Sequence, residues 1–368
     1  MGKLKTISVA LQERSYSIYY GSDILSSAGD LLAAMPVGRQ AAVISVPPVA
    51  RYYKEQLRDS LKGKLETIDM DVPDGEKSKS LAVSDELFDW LIRNRFERNS
   101  TILALGGGVV GDLAGFVAAT YLRGVNLVQI PTSLLAQVDS SIGGKVGVNH
   151  ARGKNLIGAF YQPRFVLADT RALRTLPQDE FVCGLGEVVK YAIIRNEGLY
   201  EDLNHRLADL RPGDTEQLEH IVKICASIKA GIVSRDETES GERADLNFGH
   251  TFGHALETYF NFQGLKHGQA VLLGMRCAVY MSVYRGLLTD ELAADLMDFI
   301  KQVRFSLPPS FREADPDALV EIMRVDKKVR DGKINVILPE AIGKLKREPV
   351  DDPEILKKAY ISLLEEEH

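Results

Sequence analysis

Three of the seven histidines, His250, His254 and His267, fall within 18 residues. His250 and His254 are four apart in Asn247-Phe-Gly-His-Thr-Phe-Gly-His254, and on a helix that spacing sets both on one face. His267 follows in Lys266-His267-Gly268, just ahead of another helical stretch. An isolated histidine is ordinarily a surface or satisfied core residue. Three in so short a window fit a metal centre or a proton-transfer site. A further ligand is available in Gly184-Leu-Gly-Glu187-Val-Val-Lys190, where a carboxylate and a lysine interrupt an apolar helix. Buried charge is costly unless it is paired or bound to a metal. Two histidines and one glutamate make a catalytic zinc set with a position open for substrate. The competing reading is a Glu187–Lys190 pair on a solvated helix face. Spacing does not say which two histidines bind. His250 and His254 are the pair suggested by H-E-x-x-H, yet Thr251 follows His250 where a metalloprotease has Glu. Cys183, one turn before Glu187, is a candidate soft ligand, although core packing accounts for it.

A second chemical signal lies upstream. Thr101-Ile-Leu-Ala-Leu105 runs into Gly106-Gly-Gly108-Val109-Val110-Gly111-Asp112 and then a helix, which satisfies G-x-G-x-x-G in a strand–loop–helix setting. Such glycines let backbone approach a pyrophosphate at a helix N-terminus. The loop comes after several βα units, and Pro131 stands near where a ribose-binding acid is expected. The glycines alone therefore fit a dinucleotide or another phosphate compound. Basic and polar residues also interrupt the apolar runs: Arg123, Asp139, Lys145, Lys154, Asn155, Lys229, Arg243, Asn247 and Lys327-Lys328. Glycines beside some of them allow backbone and side chain to converge on an anion. Taken singly, each reads equally as a surface residue.

The elements that must position these groups fall into two halves. Thr6–Leu11 and Ser15–Tyr20 read as a hairpin. Strands are expected at Ala41–Val46, Leu65–Met70, Thr101–Leu105, Asn126–Ile130 and Phe165–Ala168, alternating with helices at Val49–Leu61, Leu81–Ile92 and Asp112–Thr120. That alternation predicts an α/β domain with a mostly parallel sheet. From about Glu180 the pattern is nearly all helical, with one convincing late strand at Lys333–Leu338 and a last helix at Pro353–Glu366. We expect a boundary near Pro177, giving an α/β domain over 1–177 and an all-α domain over 178–368. A short connection between them predicts a ligand cleft there.

Composition narrows the function classes. The chain has 368 residues with 45% hydrophobic and 26% charged residues, which suits globular domains and not disorder. Lys+Arg 45 against Asp+Glu 51 gives a net charge of −6, which argues against nucleic acid or an anionic membrane as partner. Three scattered cysteines, Cys183, Cys225 and Cys277, read as reduced thiols of a cytosolic protein. Arg276 and Arg285 break the longest apolar stretch, so it reads as a buried helix. Met1-Gly2 with Thr6 matches only a loose acylation pattern.

Taken together the segments resemble the 3-dehydroquinate synthase family, a branch of the sugar phosphate cyclases. The matching runs are Asp74-Gly-Glu-Lys-Ser-Lys79, Gly106–Asp112, Tyr121-Leu-Arg-Gly124, Pro131-Thr-Ser-Leu-Leu-Ala136, Val138–Lys145, Gly153–Gly158, Gly186–Lys190, Arg243–His254 and His267-Gly268. The resemblance implies a Rossmann-like N-terminal domain, a helical C-terminal domain, catalytic NAD and a divalent metal, zinc or cobalt. It implies metal ligation by Glu187, His250 and His267, in place of the His250/His254 pair, and proton transfer by His254. It places NAD against Asp74, Gly75, Glu76, Lys77, Ser78, Lys79, Gly108, Val109, Val110, Gly111, Asp112, Thr132, Ser133, Asp139, Lys145, Lys154 and the run Ala172, Leu173, Arg174 and Thr175. It places an anionic sugar phosphate against Arg123, Lys145, Asn155, Lys190, Lys229, Arg243, Asn247, His254 and Lys327 or Lys328. Asp139, Lys145, Asn155, Lys190 and Arg243 join His254 as implied catalytic residues. A cytoplasmic homodimer is implied as well.

The sequence departs from the family pattern in places. Ser133 replaces a second threonine but keeps the hydroxyl. Gln269 replaces a frequent glutamate, which bears on the surroundings of the metal. Val46-Pro47-Pro48 stands where a polar residue near the adenosine ribose is frequent. Three other readings remain at this stage: a cyclase of another sugar phosphate, a metal- and NAD-dependent polyol dehydrogenase, and a nucleotide-binding module without catalysis.

Overall fold

The computed structural model describes residues 2–325, 329–330 and 333–367. Lys327 and Lys328 lie outside the described residues. The chain forms two compact units, Met1–Leu176 with Pro212–Thr238, and Pro177–Arg211 with Glu239–His368.

The first unit is built on a seven-stranded sheet. Its strands are β1 (Lys5–Val9), β2 (Tyr16–Gly21), β3 (Gln40–Ser45), β4 (Glu66–Asp71), β5 (Thr101–Gly106), β6 (Asn126–Pro131) and β9 (Phe165–Asp169), in the order β1-β2-β9-β6-β5-β3-β4. Every pairing is parallel except β1 with β2, which form the expected hairpin. β5, β6 and β9 are buried along their whole length, as strands covered on both faces must be. One face packs Val43, Leu103 and Val128 under α1 (Ala28–Ala33) and α2 (Pro47–Leu61). The other packs Ala42, Ile102 and Leu127 under α3 (Leu81–Arg93) and α4 (Gly108–Thr120). Pro47 and Pro48 start α2, where a missing N–H costs nothing, and the Ser80 hydroxyl accepts from Val83 N to cap α3.

Two features correct the expected organisation. A single division at 177/178 does not hold, because α7 (Thr215–Arg235) belongs to the first unit. Its Ala226, Ala230 and Val233 bury against Val9, Ile18 and Val166 of the sheet. Periodicity shows that a helix has an apolar face, but not which surface covers it. Between β6 and β9 there is also a separate hairpin, β7 (Lys145–His150) with β8 (Gly153–Phe160). Its glycines and the exposure of β8 hide it from pattern reading.

The second unit holds α5 (Gln178–Arg195), α6 (Glu197–Asn204), α8 (His250–Tyr259), α9 (His267–Tyr284), α10 (Asp290–Lys301), α11 (Pro316–Val325) and α12 (Pro353–Glu366). The expected late strand is the middle of an antiparallel sheet of β10 (Val329–Arg330), β11 (Lys333–Ala341) and β12 (Lys344–Val350). The unit is thus mostly helical, not wholly so. α9 is its buried spine, with fourteen of its residues inaccessible from His267 to Tyr284. Arg276 of α9 is buried and ion-pairs with Glu366 and Glu367, which ties the end of the chain to that spine.

Candidate functional site

In the second unit, glycines let three helices meet closely enough to converge side chains. Gly186 of α5 lies against Gly268 of α9, where a Cβ on Gly186 would stand 2.4 Å from the Gly268 carbonyl oxygen. A Cβ on Gly268 would stand 1.8 Å from the carbonyl oxygen of Cys183. This contact brings Glu187, next to Gly186, up to His267, next to Gly268. At the second crossing Gly249 adopts φ +77° to start α8, and a Cβ on Gly274 of α9 would stand 1.9 Å from its carbonyl oxygen. His250 is thereby the first residue of α8 and faces the same point.

The donors converge as a metal requires. One ligand atom each from Glu187, His250 and His267 lie within 4.8 Å of one another. Glu187 Oε1 is 3.5 Å from His250 Nε2 and 3.6 Å from His267 Nε2. Donors on a tetrahedral zinc, with bonds of about 2.0–2.1 Å, stand roughly 3.3–3.4 Å apart. His250 Nδ1 donates to the Phe248 carbonyl at 3.1 Å, and His267 Nδ1 lies 3.3 Å from Glu257 Oε2. Both Nδ1 atoms are thus engaged by oxygen acceptors, which directs both Nε2 atoms inward, the usual arrangement of metal-bound histidine. The chemistry and spacing fit a divalent ion.

Charge in this region is buried and dense. Glu187, Lys190 and Arg243 are each 1% exposed. Lys190 Nζ pairs with Glu187 Oε2, so the solvated-face reading of that pair fails: the pair is real but buried. The His267 pKa is pushed up to about 10; burial alone would lower it, and the Glu257 and Glu187 carboxylates outweigh burial. Such a site favours a positive charge, whether a proton or an ion. His254 lies beside this set, its ring edge-on to His250 with centroids 5.5 Å apart and tilted against His267 at 5.9 Å. Asn247 donates to Glu239 Oε1 at 2.6 Å. Cys183 is not among the converging donors. Burial pushes its thiol up to about 12, and its sulfur accepts an N–H from Gly268 at 3.2 Å. Gln269 accepts from Lys266 N at 2.9 Å, so it caps the start of α9.

In the first unit, the glycine loop passes from β5 into α4 as expected. A Cβ on Gly108 would stand 2.9 Å from Ser140 Oγ, and that hydroxyl is buried without a hydrogen-bond partner. An open backbone cradle, an orphaned hydroxyl and a helix N-terminus fit a pyrophosphate. Asp112, in the first turns of α4, is raised in pKa by burial, opposed by the Lys79 ammonium 2.5 Å away. Lys79 also donates to Asn155 Oδ1 and is 5% exposed. Glu76 accepts from Asn149 at 2.7 Å. Asp74, Gly75, Glu76 and Lys77 are exposed after β4, whereas Ser78 is buried. The carboxyl ends of β5, β6 and β9 border a cavity of about 270 Å³ that holds Thr132, Ala172, Arg174 and Thr175. The Tyr53 hydroxyl, not singled out from sequence, donates to the Ala172 carbonyl at 3.0 Å. Val110 and Leu173 point into the core, Val109 is half-buried, and Ser133 Oγ accepts from Ala136 N.

The remaining polar candidates of this unit lie on several elements. Asp139 sits in a π-helical turn, Ala136–Ser140, a feature frequent at functional sites. Lys229 of α7 donates to both its carboxylate and its carbonyl at 2.8 Å. Lys229 therefore belongs to the α/β unit, not to the helical one. Lys145 pairs across the hairpin with Phe160 and His150 with Gly153, so Lys145 stands at the far end of the ribbon from Lys154 and Asn155. Arg123 is exposed, with φ +68°.

Two family models match consecutive stretches, 3-dehydroquinate synthase N-terminal over residues 69–183 and 3-dehydroquinate synthase C-terminal over residues 184–329. The chain is 46% identical over 365 residues to a 3-dehydroquinate synthase of Dehalococcoides mccartyi, a match that covers 99% of both chains. Among solved structures it is similar to a 2-deoxy-scyllo-inosose synthase complexed with carbaglucose-6-phosphate, NAD+ and Co2+. That match has a TM-score of 0.87 at 27% identity and covers 97% of this chain and 99% of the other. It is equally similar, with the same score, identity and coverage, to a 2-epi-5-epi-valiolone synthase of Streptomyces hygroscopicus with NAD+ and Zn2+ bound.

Proposed function

The chain belongs to the 3-dehydroquinate synthase family, and from that premise we propose that it converts 3-deoxy-D-arabino-heptulosonate 7-phosphate into 3-dehydroquinate and phosphate. The observation that carries this reading is the convergence of Glu187, His250 and His267 beside buried Lys190 and half-buried His254. When bound, NAD supplies a reversible hydride carrier and a zinc or cobalt ion supplies Lewis acidity at the hydroxyl being oxidised.

The protein residues have separable tasks. Glu187 Oε1 and the Nε2 atoms of His250 and His267 would hold the ion. Lys190 and Arg243, desolvated and positive, stabilise the negative charge that develops when the proton beside the new ketone is lost. His254 assists that proton transfer, with the departing phosphate itself as the base. In the α/β unit the N-terminus of α4 carries the pyrophosphate, and Thr132, Ala172, Arg174 and Thr175 line the neighbouring cavity for another part of NAD. Lys229 holds Asp139 in place by two bonds. Asn155, Lys154, Lys145, Arg123 and Asn247 supply anion contacts. The overall conversion involves no net redox change, so the dinucleotide would be needed only in catalytic amount.

The family resemblance also supports a cytoplasmic homodimer acting on a small anionic sugar phosphate, and not on nucleic acid or membrane. No helix among the described residues is long and apolar enough to cross a membrane. Product identification tests the substrate. Incubation with the heptulosonate phosphate, NAD and zinc should give 3-dehydroquinate, whereas glucose 6-phosphate and sedoheptulose 7-phosphate should give no cyclic product. Turnover of either alternative sugar in preference to the heptulosonate would move the protein to another branch of the cyclases.

A further inference from the structure

We propose that Glu257, outside the ligand set, is the positioning carboxylate of the metal centre. It orients His267 through Nδ1 and strengthens that residue as a ligand. The inference rests on the metal-holding reading of Glu187, His250 and His267.

Glu257 lies on α8 at the third step of one helical face, after His250 and His254. It is 4% exposed, an expensive place for a carboxylate unless a positive or proton-donating group stands opposite. His267 is one such group, and its Nδ1 lies 3.3 Å from Glu257 Oε2. The other histidine of the set is oriented by a backbone carbonyl, Phe248 O, at 3.1 Å from its Nδ1. His267 has greater need of a partner. It is the first residue of α9, and its side chain is 32% exposed, against 12% for His250. A ring at a helix start can turn about its side-chain bonds. The buried carboxylate selects the rotamer and tautomer that present Nε2 to Glu187. Negative charge on Nδ1–H also raises the electron density at Nε2, which tightens a metal bond.

The same atoms permit one competing arrangement. His254, Glu257 and His267 also offer donors within 4.8 Å of one another, which is the outline of a second ion site. The two arrangements compete for one residue: His267 either serves the Glu187–His250 set with Glu257 on its Nδ1, or joins His254 and Glu257 around an ion. Metal stoichiometry separates them.

The test compares the full-length protein with Glu257→Gln, Glu257→Asp and His250→Ala. Zinc affinity is measured by chelator competition, the visible spectrum is read after cobalt loading, and NAD affinity is the control. The wild type should hold one zinc per chain. Glu257→Gln should lose about 10- to 100-fold in zinc affinity and shift the cobalt spectrum, with NAD affinity unchanged. Zinc affinity within twofold of wild type, or two zinc ions per wild-type chain, would overturn the assignment. If Glu257→Gln does not fold, Glu257→Asp decides, since a shortened carboxylate holds His267 less well: that variant should bind zinc more weakly than wild type, and equal affinity would refute the role. His250→Ala should lose the ion whatever Glu257 does. Retention there would bring down the metal reading itself, and a lost ion in His250→Ala with an unaffected Glu257→Gln would bring down only the role of Glu257.

Discussion

Glu187 Oε1 stands 3.5 Å from His250 Nε2 because Gly186 and Gly268 let α5 and α9 touch while Gly249 and Gly274 do the same for α8 and α9. The ligands come from three helices, and backbone contact sets their spacing more than side-chain reach.

Gly268→Ala should therefore damage the site from outside it. Its Cβ would stand 1.8 Å from backbone at Cys183, which no rotamer change relieves. The expected cost is about 1–3 kcal/mol in urea unfolding, with weaker zinc retention. Unchanged stability and zinc content would show that the crossing is looser than described.

The histidines should separate by function. His250→Ala is expected to lose the metal, whereas His254→Ala should keep it and release phosphate roughly 10²- to 10⁴-fold more slowly. Metal analysis alongside a phosphate assay reads both. Metal loss in His254→Ala with retention in His250→Ala would reverse the assignment.

How much of this was legible in the sequence depends on whether the signal was local. The alternating pattern from Thr6 to Ala168 places the sheet strands to within a residue or two, because parallel strands carry their own apolar runs. The histidine cluster and Glu187 also stand out. Spacing alone left the ligand pair open and pointed by analogy to His250 and His254, since nothing near His267 reveals that Gly268 meets Cys183 across the fold. Glu257 was equally visible in principle, at i+7 from His250, but a glutamate on a helix draws no notice until its burial is known. α7 looks like any amphipathic helix, so its membership in the α/β unit, and with it the Lys229–Asp139 pairing, needed the packing to show it. The late lysines Lys327 and Lys328 lie outside the described residues.

Gly108→Ala should weaken NAD binding with little effect on the fold. The added methyl would face Ser140 Oγ at 2.9 Å, and a hydroxyl can rotate away, but the backbone would no longer present an open surface to the pyrophosphate. A loss of roughly tenfold in affinity, about 1.4 kcal/mol, is expected by titration. Unaltered affinity would remove the loop from the binding site.

Stability should fall on the alkaline side. Burial pushes the Cys183 thiol from 9.0 up to about 12 and raises Cys277 from the same value. Between the unfolded and folded values the native chain holds more protons than the unfolded one, so each thiol's contribution is complete below pH 9.0 and is lost as pH rises toward its own raised folded value. The slope is at most about 1.4 kcal/mol per pH unit for each thiol. Urea midpoints at rising pH should decline from about pH 9; a midpoint that climbs over this range would contradict the burial of both thiols.

One progress curve tests the central claim most directly. The heptulosonate phosphate is supplied in large excess over NAD, and released phosphate is recorded together with absorbance in the NADH band. The account predicts many phosphates released per NAD, with no net rise in that absorbance. Accumulation of NADH in step with product would contradict it and identify a dehydrogenase instead.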